Sequence, residues 1–286
     1  MAELHEALTI LGPIDWTDVP NDLPSFLSST FTAGELICNT VPSPPNGEPF
    51  ETATPHHTTP NSATSAKEMH TSLARPFPSH KAHEDLQKSW GKPYKFKAEQ
   101  NPSGVVLYKM AGHDRHGAWF ARRSVHEGLG FSKFKKAMQR EFPHSMTVQG
   151  GPGAGAVRGL TADRRLESQK VEGVGQMDVY QLSASFPGPV APRDFTTLLL
   201  TTDDGLSEKS AAALPSSEEK HVPRHFMIVS KPVTHPGGPE RPGFVRGKYE
   251  SVELIREIPL NPSIAAGAGA DPELNPVEVN ICWFVE

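Results

Sequence analysis

Cysteine is almost missing from this chain: Cys38 and Cys282 are the only two. Two cysteines give no disulfide framework and suggest a reducing compartment. Neither a Cys-x-x-Cys nor a His-Glu-x-x-His run occurs, so the commonest zinc signatures are excluded, as is the Gly-x-Ser-x-Gly elbow of serine hydrolases. There is no basic excess: 28 Lys and Arg stand against 33 Asp and Glu, a formal charge of −5, which argues against nucleic acid as the main partner. No apolar run approaches the length of a membrane span, and the N-terminus has neither the basic start nor the apolar stretch of a secretory signal. The expectation is a soluble cytoplasmic protein. Apolar residues are also few, at 36%, while prolines number 28 and cluster unevenly, so one core of ordinary size is expected beside much loop.

What is present is organised around Val174–Thr202. Tyr180, Leu182, Ala184 and Phe186 alternate with Gln181, Ser183 and Ser185, the period of a strand with one covered and one wet face. Pro187 to Asp194 then turn the chain, and Phe195–Thr202 reads as an antiparallel partner. Other predicted strands are Val105–Met110, Trp119–His126, Asp163–Val171, Phe226–Ser230, Val245–Ile258 and Val277–Glu286. A helix is predicted over Ser132–Phe142, with Ser132 as N-cap, Pro143 as stop, and Phe131, Phe134 and Met138 on one face.

Three regions follow. Residues 1–40 form an N-terminal helical segment: Leu4, Ala7, Leu8 and Leu11 at helical spacing, then short turns over Leu23–Leu27 (capped by Asp22) and Ala33–Cys38. Residues 41–88 are rich in Pro, Ser, Thr, Asn and His, too poor in apolar surface to offset the entropy of ordering, and read as a disordered linker. Residues 89–286 hold the sheet, giving an α+β domain of about six or seven strands with helices on one side.

The segments Trp119–Gly130 (WFARRSVHEGLG), Val157–Glu167 (VRGLTADRRLE), Ser185–Leu200 (SFPGPVAPRDFTTLLL), Arg224–Val233 and Gly243–Pro259 (GFVRGKYESVELIREIP) occur in order. In them the chain resembles a fungal family of unknown function with a START-like domain, the fold of steroidogenic-acute-regulatory lipid transfer. That resemblance implies a helix-grip fold, in which a curved antiparallel sheet with helices on one side closes round an apolar cavity. It also implies a ligand class: a hydrophobic small molecule or lipid of sterol, phospholipid or fatty acyl type. Such domains usually end in a long helix. Here the sequence stops at Asn280–Glu286, so that helix is expected to be lacking and the domain to be C-terminally truncated.

Candidate wall residues for such a cavity are Trp119, Tyr180, Leu182, Leu198, Met227 and Tyr249. Arg193 and Asp194, after Pro192, are read as a structural clamp, with Asp194 accepting from turn amides and Arg193 pairing elsewhere. The basic residues Arg122, Arg123, Arg164, Arg165, Lys133, Lys135, Lys136 and Arg140 offer attraction to a transient membrane surface. No catalytic residue, metal ligand or cofactor is assigned. Gly151–Ala156 formally fits a dinucleotide fingerprint but follows a helix and precedes a strand, the wrong context for that motif. His80, His83, His113 and His116 with Asp114 lack the converging set a zinc ion needs. Ser124 and His126 point the same way on one strand but have no third group to orient a base. Two other readings remain: a START-like cyclase or aromatase in a secondary-metabolite pathway, with Tyr180, Tyr249, His126 and Glu253 moving protons, or a structural scaffold.

Overall fold

A computed structural model describes residues 5–42, 69–70, 81–94, 106–112, 117–126, 130–148, 160–185, 189–203, 224–257, 273, 275 and 277–285. The first helix, α1 (Glu6–Leu11), buries Ala7, Leu8 and Leu11 and ends at Gly12, just before Pro13. After the short strand β1 (Ile14–Asp15) and a 3-10 turn over Trp16–Asp18 comes α2 (Leu23–Thr40), a single helix where the sequence suggests two separate turns. Asp22 caps it as expected, accepting from the Ser25 amide at 3.3 Å, and Pro24 sits in its first turn. The Ser- and Thr-rich middle argues against a helix from propensity alone. Those hydroxyls turn back instead: Thr30 donates to the Phe26 carbonyl and Thr32 to that of Ser28, each at 2.9 Å. Gly34 breaks the apolar pattern for a tertiary reason, because a Cβ there would lie 3.0 Å from both Met227 Sδ and Val252 Cγ1.

The sheet is built from β2 (Met69–His70), β3 (Val106–Met110), β4 (Trp119–His126), β5 (Thr161–Val171), β6 (Gly175–Ala184), β7 (Arg193–Thr202), β8 (His225–Thr234), β9 (Val245–Arg246), β10 (Tyr249–Glu257) and β11 (Val277–Val285). Its order is β2-β4-β11-β10-β8-β7-β6-β5, with β3 also on β4, and all of these neighbours are antiparallel. The short β1 and β9 join in parallel, to β8 and β7 respectively. Most sequence-predicted strands recur with small shifts of their ends, but Phe226–Ser230 extends four residues further to Thr234 and Val245–Ile258 splits in two. Two register irregularities between β5 and β6, near Asp163 and Leu166, bend that edge of the sheet. Among the described residues eleven strands take part, more than the six or seven expected: β1 and β2 are two-residue pairings too short for periodicity to reveal, and the run Val245–Ile258 divides into β9 and β10.

Two further helices complete the frame. One, α3 (Lys81–Ser89), overlaps the end of the stretch read as linker (41–88), and it buries Leu86, with Trp90 buried just beyond it. The other, α4 (Phe131–Ser145), extends one residue before and three beyond its expected bounds, and Pro143 is held within its last turn. Its N-terminal turn is secured from outside, since the Ser132 amide and hydroxyl both donate to Glu273 (3.2 and 2.7 Å). Helices therefore lie on both faces of the sheet rather than on one. On the first face α1, α2 and α3 pack over Met177, Val179, Leu198, Leu200, Met227, Val229, Val252 and Cys282. On the other, α4 packs over Tyr180, Leu182, Phe195, Leu199, Phe226, Ile228, Ile255 and Val279.

Two polar features bind the first face. Glu278 takes Arg123 at 2.6 Å and Arg256 as partners, all three buried, while Arg123 also donates to the Val41 carbonyl at the end of α2 (3.2 Å). Beside them the thiols of Cys38 and Cys282 touch at 3.8 Å, and burial pushes the Cys38 thiol well above the usual range. The face of β6 expected to be wet is instead covered. Gln181 and Ser183 are 3% and 0% exposed, because residues 235–247 fold across β5–β7. Gln181 accepts from Arg164 Nε (2.9 Å) and donates to the Pro239 carbonyl (3.2 Å), and Ser183 donates to Asp163 (2.9 Å). Only Ser185 is exposed as the alternation implies.

Candidate functional site

Asp178 and Tyr180 stand two apart on β6 and so share the face that α4 covers. Register extends that face sideways: Asp178 pairs with Leu199 on β7, Leu199 with Ser230 on β8, and Thr201 with Ile228. Above them α4 presents Met138, Gln139, Phe142 and Pro143, and between helix and sheet lies a pocket of about 300 Å³. Its remaining wall is Arg165, Gln176, Thr202 and Asp203. Met138, Phe142, Tyr180, Leu199 and Ile228 make an apolar floor and roof, and the polar residues gather toward one end of β6 and β7.

Most of this polarity is satisfied. Asp178 Oδ2 accepts from Gln176 Nε2 at 2.8 Å, Thr202 Oγ1 accepts from the Met227 amide at 2.8 Å, and Lys135 Nζ donates to the Asp203 carbonyl. Arg165 NH1 stands 3.7 Å from Asp178 Oδ1, too long for a hydrogen bond, and its side chain is half exposed. Tyr180 lies with its ring 5.4 Å from Phe142. Burial, reinforced by the negative charge of Asp178, pushes its phenol up to about 12, so it stays a neutral hydroxyl.

The six expected wall residues divide between the faces. Tyr180 and Leu182 belong to the core beneath α4, with Tyr249 packed against it. Trp119, Leu198 and Met227 belong to the opposite core, beneath α1–α3. Of the six, Tyr180 alone lines the pocket. Strand parity separates Leu198 from Tyr180, since Leu198 pairs with Val179. Met138 was legible from the helical spacing, and Asp178 from its place two residues before Tyr180. Leu199, Ile228 and Arg165 reach the pocket through pairing alone.

Arg193 and Asp194 lie outside the pocket. Asp194 is fully buried and grips Arg246 with both oxygens (3.1 and 2.8 Å), while Arg241 stands 3.6 Å away. Its partners are thus guanidinium groups of the covering segment rather than turn amides; Arg193 donates to the Ala191 carbonyl at 3.0 Å.

Ser124 Oγ and His126 Nε2 lie 3.0 Å apart, next to Phe134 of α4. Burial, with the Arg122 charge, lowers His126 to about 4. A phenol near 12 and an imidazole near 4 are both far from the neutral range in which proton transfer is most efficient. Glu253 is buried on β10, one strand from Ile281, which in turn pairs with Arg122. The run Gly151–Ala156, His80, His113, Asp114 and His116 fall outside the described residues. Among the described residues no group of three or more His, Cys, Asp or Glu converges as for a metal ion, and no helix is long and apolar enough to cross a membrane.

The family model described as "Protein of unknown function (DUF3074)" matches residues 119–283, more than half the chain. No curated protein matches by sequence. Among solved structures the chain is similar to human StAR-related lipid transfer protein 5 (15% identity, 72% of this chain and 78% of that one, TM-score 0.36). It is also similar to human STARD10 (14%, 74% and 69%, TM-score 0.38) and to the human StarD13 (DLC2) lipid transfer and protein localization domain (15%, 73% and 84%, TM-score 0.39). TM-scores this low leave the ligands and activities of those proteins without bearing on this chain.

Proposed function

The chain belongs to the DUF3074 family of proteins of unknown function, and from that premise we propose that it binds a hydrophobic small molecule or lipid, without catalysis, between α4 and the sheet. The observation that carries this is the pocket of about 300 Å³ whose floor and roof are Met138, Phe142, Tyr180, Leu199 and Ile228. Burying an apolar ligand there is worth roughly 25 cal/mol per Å² removed from water. The volume is at the small end of ligand pockets, which favours one acyl chain or a compact ring system over a two-chain phospholipid. Of the wall residues expected from the sequence Tyr180 is kept here, while Leu182 and Tyr249 belong to the core beneath α4 without lining the pocket. Exposed Lys133, Lys136 and Arg140 on α4 stand over the same face and would steer the protein to an anionic membrane surface within the cytoplasm.

The test is native mass spectrometry of the purified chain, with identification of any solvent-extracted lipid, for the natural protein and for Met138→Trp. Met138 is only half-buried on α4, so an indole there fills the pocket with little disturbance of the sheet. A bound hydrophobic molecule, absent from Met138→Trp at unchanged Tm, is expected. A folded chain that neither carries nor takes up any apolar molecule overturns the reading.

A further inference from the structure

Of the side-chain nitrogen and oxygen atoms buried in the pocket wall, one lacks a hydrogen bond: Asp178 Oδ1. The Asp178 side chain is 8% exposed, and its other oxygen is already occupied by Gln176. Arg165, the nearest cation, stands 3.7 Å away and is 46% exposed, so water screens it and it satisfies the carboxylate poorly. A buried acceptor left open beside an apolar floor asks for a donor from whatever fills the space. The neutral Tyr180 hydroxyl beneath it adds no competing charge, whereas Asp203 on the rim adds a second carboxylate.

We propose that Asp178 is the anchor for the ligand's polar end, and that the pocket selects an amphiphile whose head donates hydrogen bonds and carries no negative charge, an alkylamine first and an alcohol second. This rests on the binding reading above and names its ligand class. An ammonium head meets Asp178 Oδ1 as a charge-assisted donor, and a hydroxyl meets it as a neutral one. A carboxylate or phosphate head sets like charge against Asp178 and leaves Oδ1 open. The chain of such a ligand runs from Asp178 over Leu199 and Ile228, under Met138 and Phe142.

The experiment uses the full chain and three probes of equal length, dodecylamine, dodecanol and dodecanoate, titrated by calorimetry at neutral pH. The natural protein is expected to prefer the amine over the carboxylate by about tenfold or more, the scale of one charge-assisted hydrogen bond. Asp178→Asn should reduce that preference below about threefold while dodecanol still binds. Arg165→Gln, at a half-exposed position with little risk to folding, should widen the preference by removing the only nearby positive charge in the wall. Equal binding of all three probes, unchanged by either substitution, overturns the anchor while leaving the pocket intact. Preference for dodecanoate that disappears in Arg165→Gln overturns it in favour of the arginine. Failure of every probe to bind overturns the pocket itself and this proposal with it.

Discussion

Replacing Asp194 by Asn tests whether the covering segment over β5–β7 is held by charge. Asp194 is fully buried and receives two hydrogen bonds from Arg246, with Arg241 close by; Arg241 in turn holds Asp163 at 2.8 Å. Hydrogen bonds to an ionised group contribute roughly 1.5–3 kcal/mol each. Both arginine side chains are 25% exposed and partly recover hydration once released, so the two bonds are discounted to a loss of about 2–3 kcal/mol. At ~2–4 °C per kcal/mol for a domain of this size, Tm should fall by about 5–10 °C. A double-mutant cycle with Arg246→Gln should show a coupling of roughly 1–2 kcal/mol. Because the carboxylate is buried, most of that should persist in about 0.5 M salt, where exposed pairs are screened. Coupling below about 0.5 kcal/mol, or a Tm fall under about 2 °C, would refute the clamp and leave the backbone bonds from Val245 to the Pro192 carbonyl and from Gly247 to that of Asp194 to hold the segment.

Two further outcomes test the packing beneath each set of helices. Gly34→Leu should destabilise the chain by roughly 1–3 kcal/mol or more despite its better helix propensity, since even a Cβ would press on Met227 and Val252; an unchanged Tm in thermal unfolding would show that α2 does not sit this close to the sheet. His126 has a folded pKa near 4 against an ordinary 6.5, so the folded state binds its proton less readily than the unfolded state. Its stabilising contribution is complete above about pH 6.5 and is lost as pH falls toward 4, at most ~3 kcal/mol and roughly half that for a partly exposed ring. Urea unfolding of the natural protein and His126→Asn between pH 7 and about 4 should therefore converge in stability as pH falls, and parallel curves would count against a buried neutral ring.

Much of the fold could be read in the sequence because strand period is a local property. Tyr180, Leu182 and Ala184 announce β6 whatever lies above them, and β7, β4 and β11 follow from equally plain apolar or β-branched runs. Asp22 declared the start of α2 by its side chain alone. Other features needed the tertiary structure. The single helix α2 depends on Gly34 meeting Val252, and α3 depends on a core into which Leu86 can descend. The covering of Gln181 and Ser183 depends on a segment more than fifty residues later, whose Pro239 carbonyl accepts from Gln181, while Asp163 on the neighbouring β5 takes the Ser183 hydroxyl; these partners make burying an amide and a hydroxyl tolerable.

The same division separates the chemistry. Sequence alone determined that there is no disulfide framework, no familiar zinc or hydrolase signature and no basic excess, because these are matters of composition and spacing. It also placed Tyr180 on one side of a strand, the side that Asp178, two residues earlier, shares. Which side faces α4, which residues of β5, β7 and β8 stand beside them, and why Trp119, Leu198 and Met227 look the other way were decided by strand register and by which helix covers which face. A pocket is the space left between elements distant in the chain, so no local pattern records it. Asp178 is an ordinary acidic residue until Met138 and Phe142 close over it and leave one of its oxygens without a hydrogen bond.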